Sequence, residues 1–146
     1  MRNVFLAAAV FAMPVEAAVQ HATGVFEVKM APQTGDLPDG LARMVNSKTF
    51  AGGFAGTSRG DMLTAMGGVE GSAAYVLIER LTGTLDGKAG SFVLMHSATM
   101  DRGAPDQRIV IVPDTGTGAL AGLKGSMTIK VEGGKHLYDL AYELPN

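Results

Sequence analysis

Residues 77–96 read LIERLTGTLDGKAGSFVLMH, two alternating runs on either side of Asp86-Gly87. Asp-Gly supplies the positive φ angles that a two-residue hairpin turn requires. With that turn, Leu85 pairs with Lys88, and pairing continues with position numbers summing to 173. Leu81 then faces Phe92, Glu79 faces Leu94 and Leu77 faces His96. The register carries its own test, because Leu77, Leu81, Phe92 and Leu94 all fall on one face, and a slip of one residue would scatter them.

Outward from this hairpin the chain keeps the same period. Phe26, Val28 and Met30 alternate with Glu27 and Lys29; Met127, Ile129 and Val131 alternate with Thr128, Lys130 and Glu132. Period two without a sustained 3.6-residue pattern means an all-β chain. Eight strands are expected, at roughly 22–30, 42–51, 54–66, 72–85, 88–101, 105–113, 123–132 and 135–144. The turn signals are Gly52-Gly53, Gly67-Gly68, Asp86-Gly87, Gly103 and Gly133-Gly134. In the last hairpin Glu132 faces Lys135, Val131 faces His136 and Ile129 faces Tyr138. Consecutive hairpins avoid exposed edges most simply by closing into a single, mostly antiparallel barrel, with a sandwich as the competing architecture.

Composition and the chain ends bound the function. The 146 residues suit one core, and a net charge of −2 gives no field for nucleic acid. The chain has no cysteine, which removes disulfides and thiolate chemistry. MRN, the apolar VFLAAAVFAMPV and VEA have the layout of a secretory signal peptide. Residues 1–17 are therefore expected to be a signal peptide cleaved after Ala17, leaving 18–146 as one barrel domain in the periplasm or outside the cell. No membrane association is expected after cleavage. Outward apolar residues such as Val76 and Ile78 suggest a homo-oligomer.

The stretch PDTGTGALAGLKG, residues 113–125, follows a strand and is rich in glycine, like a phosphate cradle. Its spacing fits neither G-x-G-x-x-G nor a P-loop, and the MTIKVE that follows alternates as a strand. It reads as a compact crossing between strands six and seven, with Leu120 and Leu123 tucked inward.

Chemistry concentrates on the first hairpin. Glu79 shares an apolar face, and His96 sits diagonally across from it, about 7–8 Å away at Cα. A carboxylate beside an imidazole in an apolar setting suits general acid–base work, and equally suits a satisfied buried pair. Glu79 and His96 are the candidate catalytic residues; Asp61 is the nearest second carboxylate along the chain, with its facing open. His136, Tyr138 and Tyr142 share a face of the last strand and, with Phe92, are candidate ligand-binding residues. Ser97 points away from His96, and no GxSxG elbow is present. The three histidines, one of them His21, have no ligand spacing, so no metal or cofactor is implied.

ATGVFEV, IERLTGTLDGKAGSFVLMHSATM, VPDTGTGALAGLKGSMTI and GKHLYDLAYELP together span nearly all of the chain after residue 21. In order and spacing they resemble the bacterial family called domain of unknown function 3224, within the allene-oxide-cyclase-like barrel superfamily. The resemblance implies a closed barrel of about eight strands and places Glu79, Arg80, Ser91 and His96 at motif positions. The family pattern has Gln where Met95 stands and Gly where Ala98 stands. At superfamily level it implies a small apolar or amphipathic ligand held in the barrel. The alternatives are an acid–base enzyme using Glu79 (an isomerase, cyclase or hydrolase) and a packed barrel with no ligand.

Overall fold

The computed structural model describes Met13 and residues 15–146. The segment expected to be a signal peptide, residues 1–17, lies for the most part outside the described residues. Eight antiparallel strands close into one barrel in sequence order. They are β1 (Gln20–Gln33), β2 (Leu41–Gly52), β3 (Phe54–Met66), β4 (Ala73–Leu85), β5 (Lys88–Asp101), β6 (Ala104–Ile111), β7 (Lys124–Glu132) and β8 (Lys135–Glu143).

The Asp86-Gly87 hairpin has the expected register: Leu85 opposite Lys88, Glu79 opposite Leu94 and Leu77 opposite His96. Both turn residues take positive φ, 46° and 83°, as a two-residue turn matched to strand twist demands. The Gly133-Gly134 hairpin pairs as expected too, with Ile129 opposite Tyr138. Two turns differ. Residues 67–72 form a longer connection, and β2–β3 pairs Phe50 with Gly56, so Gly52-Gly53 is not a two-residue turn. A two-residue turn at that point would put Phe50 and Phe54 on opposite faces. The observed pairing buries both. The crossing after β6 is a short 3-10 turn, Gly118–Leu120, whose Leu120 and the following Leu123 are buried.

Following neighbours once round the barrel, from Pro32 through Met44, Met62, Leu77, His96, Ile109, Met127 and Leu140, returns to β1 at Ala22, ten residues lower. That stagger tilts the strands, and an eight-stranded barrel of this kind has an interior that side chains can fill. One end is filled by a continuous apolar core that includes Phe50, Phe54, Phe92, Leu81, Leu85 and Leu140. Aromatic rings meet edge to face there, Phe54 with Phe92 at 5.5 Å and Phe50 with Phe54 at 5.4 Å. The other rim is uneven. β8 begins at Lys135 and pairs with β1 only up to Phe26, while β1 and β2 stay paired as far as Gln33.

Candidate functional site

Above the apolar core lies a layer of buried polar side chains: Asn46, Lys48, Ser58, Glu79 and His96. Glu79 is 1% exposed and takes three hydrogen bonds from side chains. Lys48 Nζ donates to Oε1 at 2.6 Å, Ser58 Oγ donates to Oε2 at 2.7 Å, and His96 Nε2 lies 2.7 Å from Oε1. The three partners come from three other strands because of the stagger. The direct neighbours of Glu79 across the sheet are Gly60 and Leu94, but its partners sit two residues further along β2, β3 and β5. Gly60 makes this reach feasible. A Cβ there would come within 2.6 Å of Glu79 Cβ and 2.2 Å of the Ile78 carbonyl oxygen. Without it, the Glu79 side chain crosses β3 to meet Lys48 on β2.

Burial alone would push the Glu79 carboxyl up. The His96 hydrogen bond and the Lys48 charge outweigh it and hold the group down at about 2, so it is ionised. Lys48 goes the other way: burial pulls its ammonium below the usual lysine range, with Glu79 opposing. The two shifts point to different balances within one ion pair, and the hydrogen-bond inventory explains why. Glu79 receives three donors, whereas Lys48, with three N–H groups, bonds one oxygen and rests 5.2 Å from the Phe26 ring centroid. The carboxylate is fully compensated and the ammonium only partly.

Asn46 stands two residues from Lys48 on the same face of β2 and is 2% exposed. Its Oδ1 has no hydrogen-bond partner, the only buried side-chain N or O atom so placed among the described residues. Such an atom costs free energy unless something donates to it. Beyond the layer Tyr75 sits 6.5 Å, ring to ring, from His96, and its hydroxyl accepts a hydrogen bond from Gln107 Nε2 at 2.7 Å. That bond passes over Ala98, which pairs with both residues.

A cleft of about 630 Å³ opens on the low side of the rim, where β8 starts; Phe26, Val28, Phe50 and His136 line it. Phe26 stacks on the His136 ring at 5.0 Å. Because Phe26 also lies beneath the Lys48 ammonium, one ring joins the cleft to the polar layer. A second depression, about 530 Å³, lies on the outer wall among Leu41, Leu63 and Val76. Val76 and Ile78 are half exposed on that wall.

Glu79 and His96, diagonal neighbours by sequence, are in hydrogen-bond contact. Of the ligand-binding candidates, His136 lines the cleft and the others face the packed interior. The Tyr138 hydroxyl accepts from the Phe54 amide at 3.0 Å and lies 2.9 Å and 3.2 Å from the carbonyls of Phe54 and Ala51. The Tyr142 hydroxyl bonds Asp86 and Gln20. Phe92 is wholly buried against Phe54. Asp61 faces outward and pairs with Arg43 at 2.8 Å, so it does not join Glu79. Ser97 and Met95 are exposed on the outer wall, and Arg80 there donates to Ser91 at 3.3 Å. Among the described residues no group of three or more His, Cys, Asp or Glu could hold a metal ion.

Sequence reasoning missed Lys48, Ser58 and Asn46. A lysine in an alternating strand reads as a solvent-facing residue. The available signal was parity: burying both Phe50 and Phe54 requires an even register sum across β2–β3, which puts Asn46, Lys48 and Ser58 on the inner face.

A family model described as "Protein of unknown function (DUF3224)" matches residues 22–142. Among solved structures, the chain is similar to a protein with unknown function from the DUF3224 family of Shewanella oneidensis MR-1. The identity is 40%, the TM-score 0.84, and the match covers 88% of this chain and 99% of that one. No curated protein matches the chain.

Proposed function

Since the chain belongs to the DUF3224 family, whose description assigns no activity, its role has to be read from its own interior, and we propose that the barrel binds a small, uncharged amphipathic molecule. The observation that carries this reading is Asn46 Oδ1, a buried acceptor with no donor, at the edge of the polar layer. A packed structural barrel gains nothing from leaving that atom unpaired. The cleft lined by Phe26, Val28 and His136 supplies an apolar wall beside the same layer. Glu79 and Lys48 offset one another, so the layer favours a neutral head group with a hydroxyl or amide donor over an ion.

The neutral dye N-phenyl-1-naphthylamine tests this reading. Its fluorescence is expected to rise saturably, at one dye per chain, and Val28→Trp, which fills the cleft beside Lys48, is expected to weaken binding by about tenfold or more, roughly 1.4 kcal/mol. An unsaturable signal, or one indifferent to Val28→Trp, would sink the proposal.

Export remains part of the same reading. The barrel begins at Gln20 and the family match at residue 22, both beyond the expected cleavage point after Ala17. Mass spectrometry of the chain from its native host is expected to find Ala18 at the N-terminus; a chain retaining Met1 would retire the proposal.

A further inference from the structure

We propose that Lys48 is a covalent capture site for aldehydes and ketones, forming an imine through Nζ with Glu79 as the proton carrier. The inference rests on the reading that the rim cleft takes a small amphipathic ligand, and it names that ligand's reactive group.

The geometry supplies what the chemistry needs. An amine attacks a carbonyl only as the free base, so a capturing lysine must lose its proton inside the site. Lys48 Nζ points at Glu79 Oε1 along a 2.6 Å hydrogen bond, so a proton can pass to the carboxylate without entering solvent, as a transient, uphill step because the carboxyl lies at about 2. Ser58 and His96 hold both carboxylate oxygens in place while this happens. Burial already disfavours the ammonium by stripping it of water, with Glu79 opposing. The Lys48 side chain is only 5% exposed, yet Phe26 beneath it forms a wall of the cleft. Lys48 does not itself line the cleft, but Val28, which does, pairs directly with it, so an apolar carbonyl compound seated against Phe26 and Val28 lies one side chain from Nζ.

The steps balance. The proton moves from Lys48 to Glu79; the free amine adds to the carbonyl carbon as the C=O π bond breaks, and one proton of the attacking nitrogen passes to the oxygen, giving a neutral carbinolamine. Glu79 returns the proton to the carbinolamine hydroxyl, which departs as water, and a protonated imine remains opposite the Glu79 carboxylate. One positive charge faces one negative charge before and after, so the buried pair is never left uncompensated. The carbinolamine hydroxyl is also a donor, and Asn46 Oδ1, two residues along β2, is an acceptor without one.

Octanal with sodium cyanoborohydride, applied to the full folded chain, tests the proposal by reductive trapping and peptide mass spectrometry. Lys48 is expected to acquire an octyl group at least about tenfold faster than the exposed Lys88, Lys124 and Lys130, although burial alone would make it the slowest. Prior incubation with N-phenyl-1-naphthylamine is expected to slow that labelling and leave the exposed lysines unchanged. Labelling of Lys48 no faster than of the exposed lysines overturns the inference. If the dye still binds saturably in that case, the binding reading survives alone; if neither occurs, both fall. The readout lies in the unaltered chain, so it does not depend on a Lys48 variant folding. Lys48→Arg keeps the charge and forms no imine, and serves as a control for peptide assignment.

Discussion

Glu79→Gln is expected to lower unfolding stability by about 3–5 kcal/mol, the cost of removing one partner from a buried ion pair. Lys48 would keep its charge in the interior with no counter-ion, and His96 and Ser58 would lose their charged acceptor. Replacing both members, as Glu79→Met with Lys48→Met, is expected to recover much of the loss, because an apolar pair carries no desolvation cost. The same free energy should appear in acid. The folded Glu79 carboxyl lies at about 2, against 4.5 unperturbed. Its contribution is fully present above the unfolded value and is lost as pH falls from about 4.5 through about 2. The difference amounts to about 3 kcal/mol. Denaturant titrations of the wild type and Glu79→Gln at neutral pH and near pH 3 check both statements. A variant as stable as wild type at neutral pH would mean that water, and not Glu79, compensates Lys48.

Phe92→Ala is expected to cost a similar amount, about 3–5 kcal/mol, by opening a cavity in a close-packed core. Phe92 is 0% exposed and meets Phe54 edge to face, with Leu81 directly opposite on β4. The measurement also separates two roles that the sequence leaves open for this residue. A core residue loses stability while dye binding at the rim stays unchanged, whereas a ligand contact loses binding at little cost in stability. Stability loss with intact binding is the expected result, and the reverse would move the site to the opposite end of the barrel.

How much of this was legible in the sequence depended on what fixed each register. Asp86-Gly87 permits essentially one turn geometry, and the four apolar residues beside it agree, so Glu79 and His96 could be placed on one inner face. Gly52-Gly53 looks equally decisive but is not, since glycine tolerates several turn types. The structure adds one residue to that connection, which turns Lys48 and Ser58 inward. Their meeting with Glu79 was out of reach for a second reason. It depends on strand tilt, which brings residues of different rungs to one height, and tilt is a property of closure that no single hairpin contains. Tyr138 and Tyr142 were legible as inward but not in purpose, because their hydroxyl partners are backbone groups near the β2–β3 turn and Asp86, far away in the chain.

The pairing of β1 with β8 has a consequence for how the molecule is made. Gln20–Phe26 finds its partners in His136–Tyr142, at the far end of the chain. The cylinder therefore cannot be sealed while a ribosome still holds the last strand, and until then both β1 and the newest strand present bare backbone. Contacts of such long range form slowly, because the loop must be closed before they reward it. The wall thus stays open until β8 has emerged, and that strand completes it.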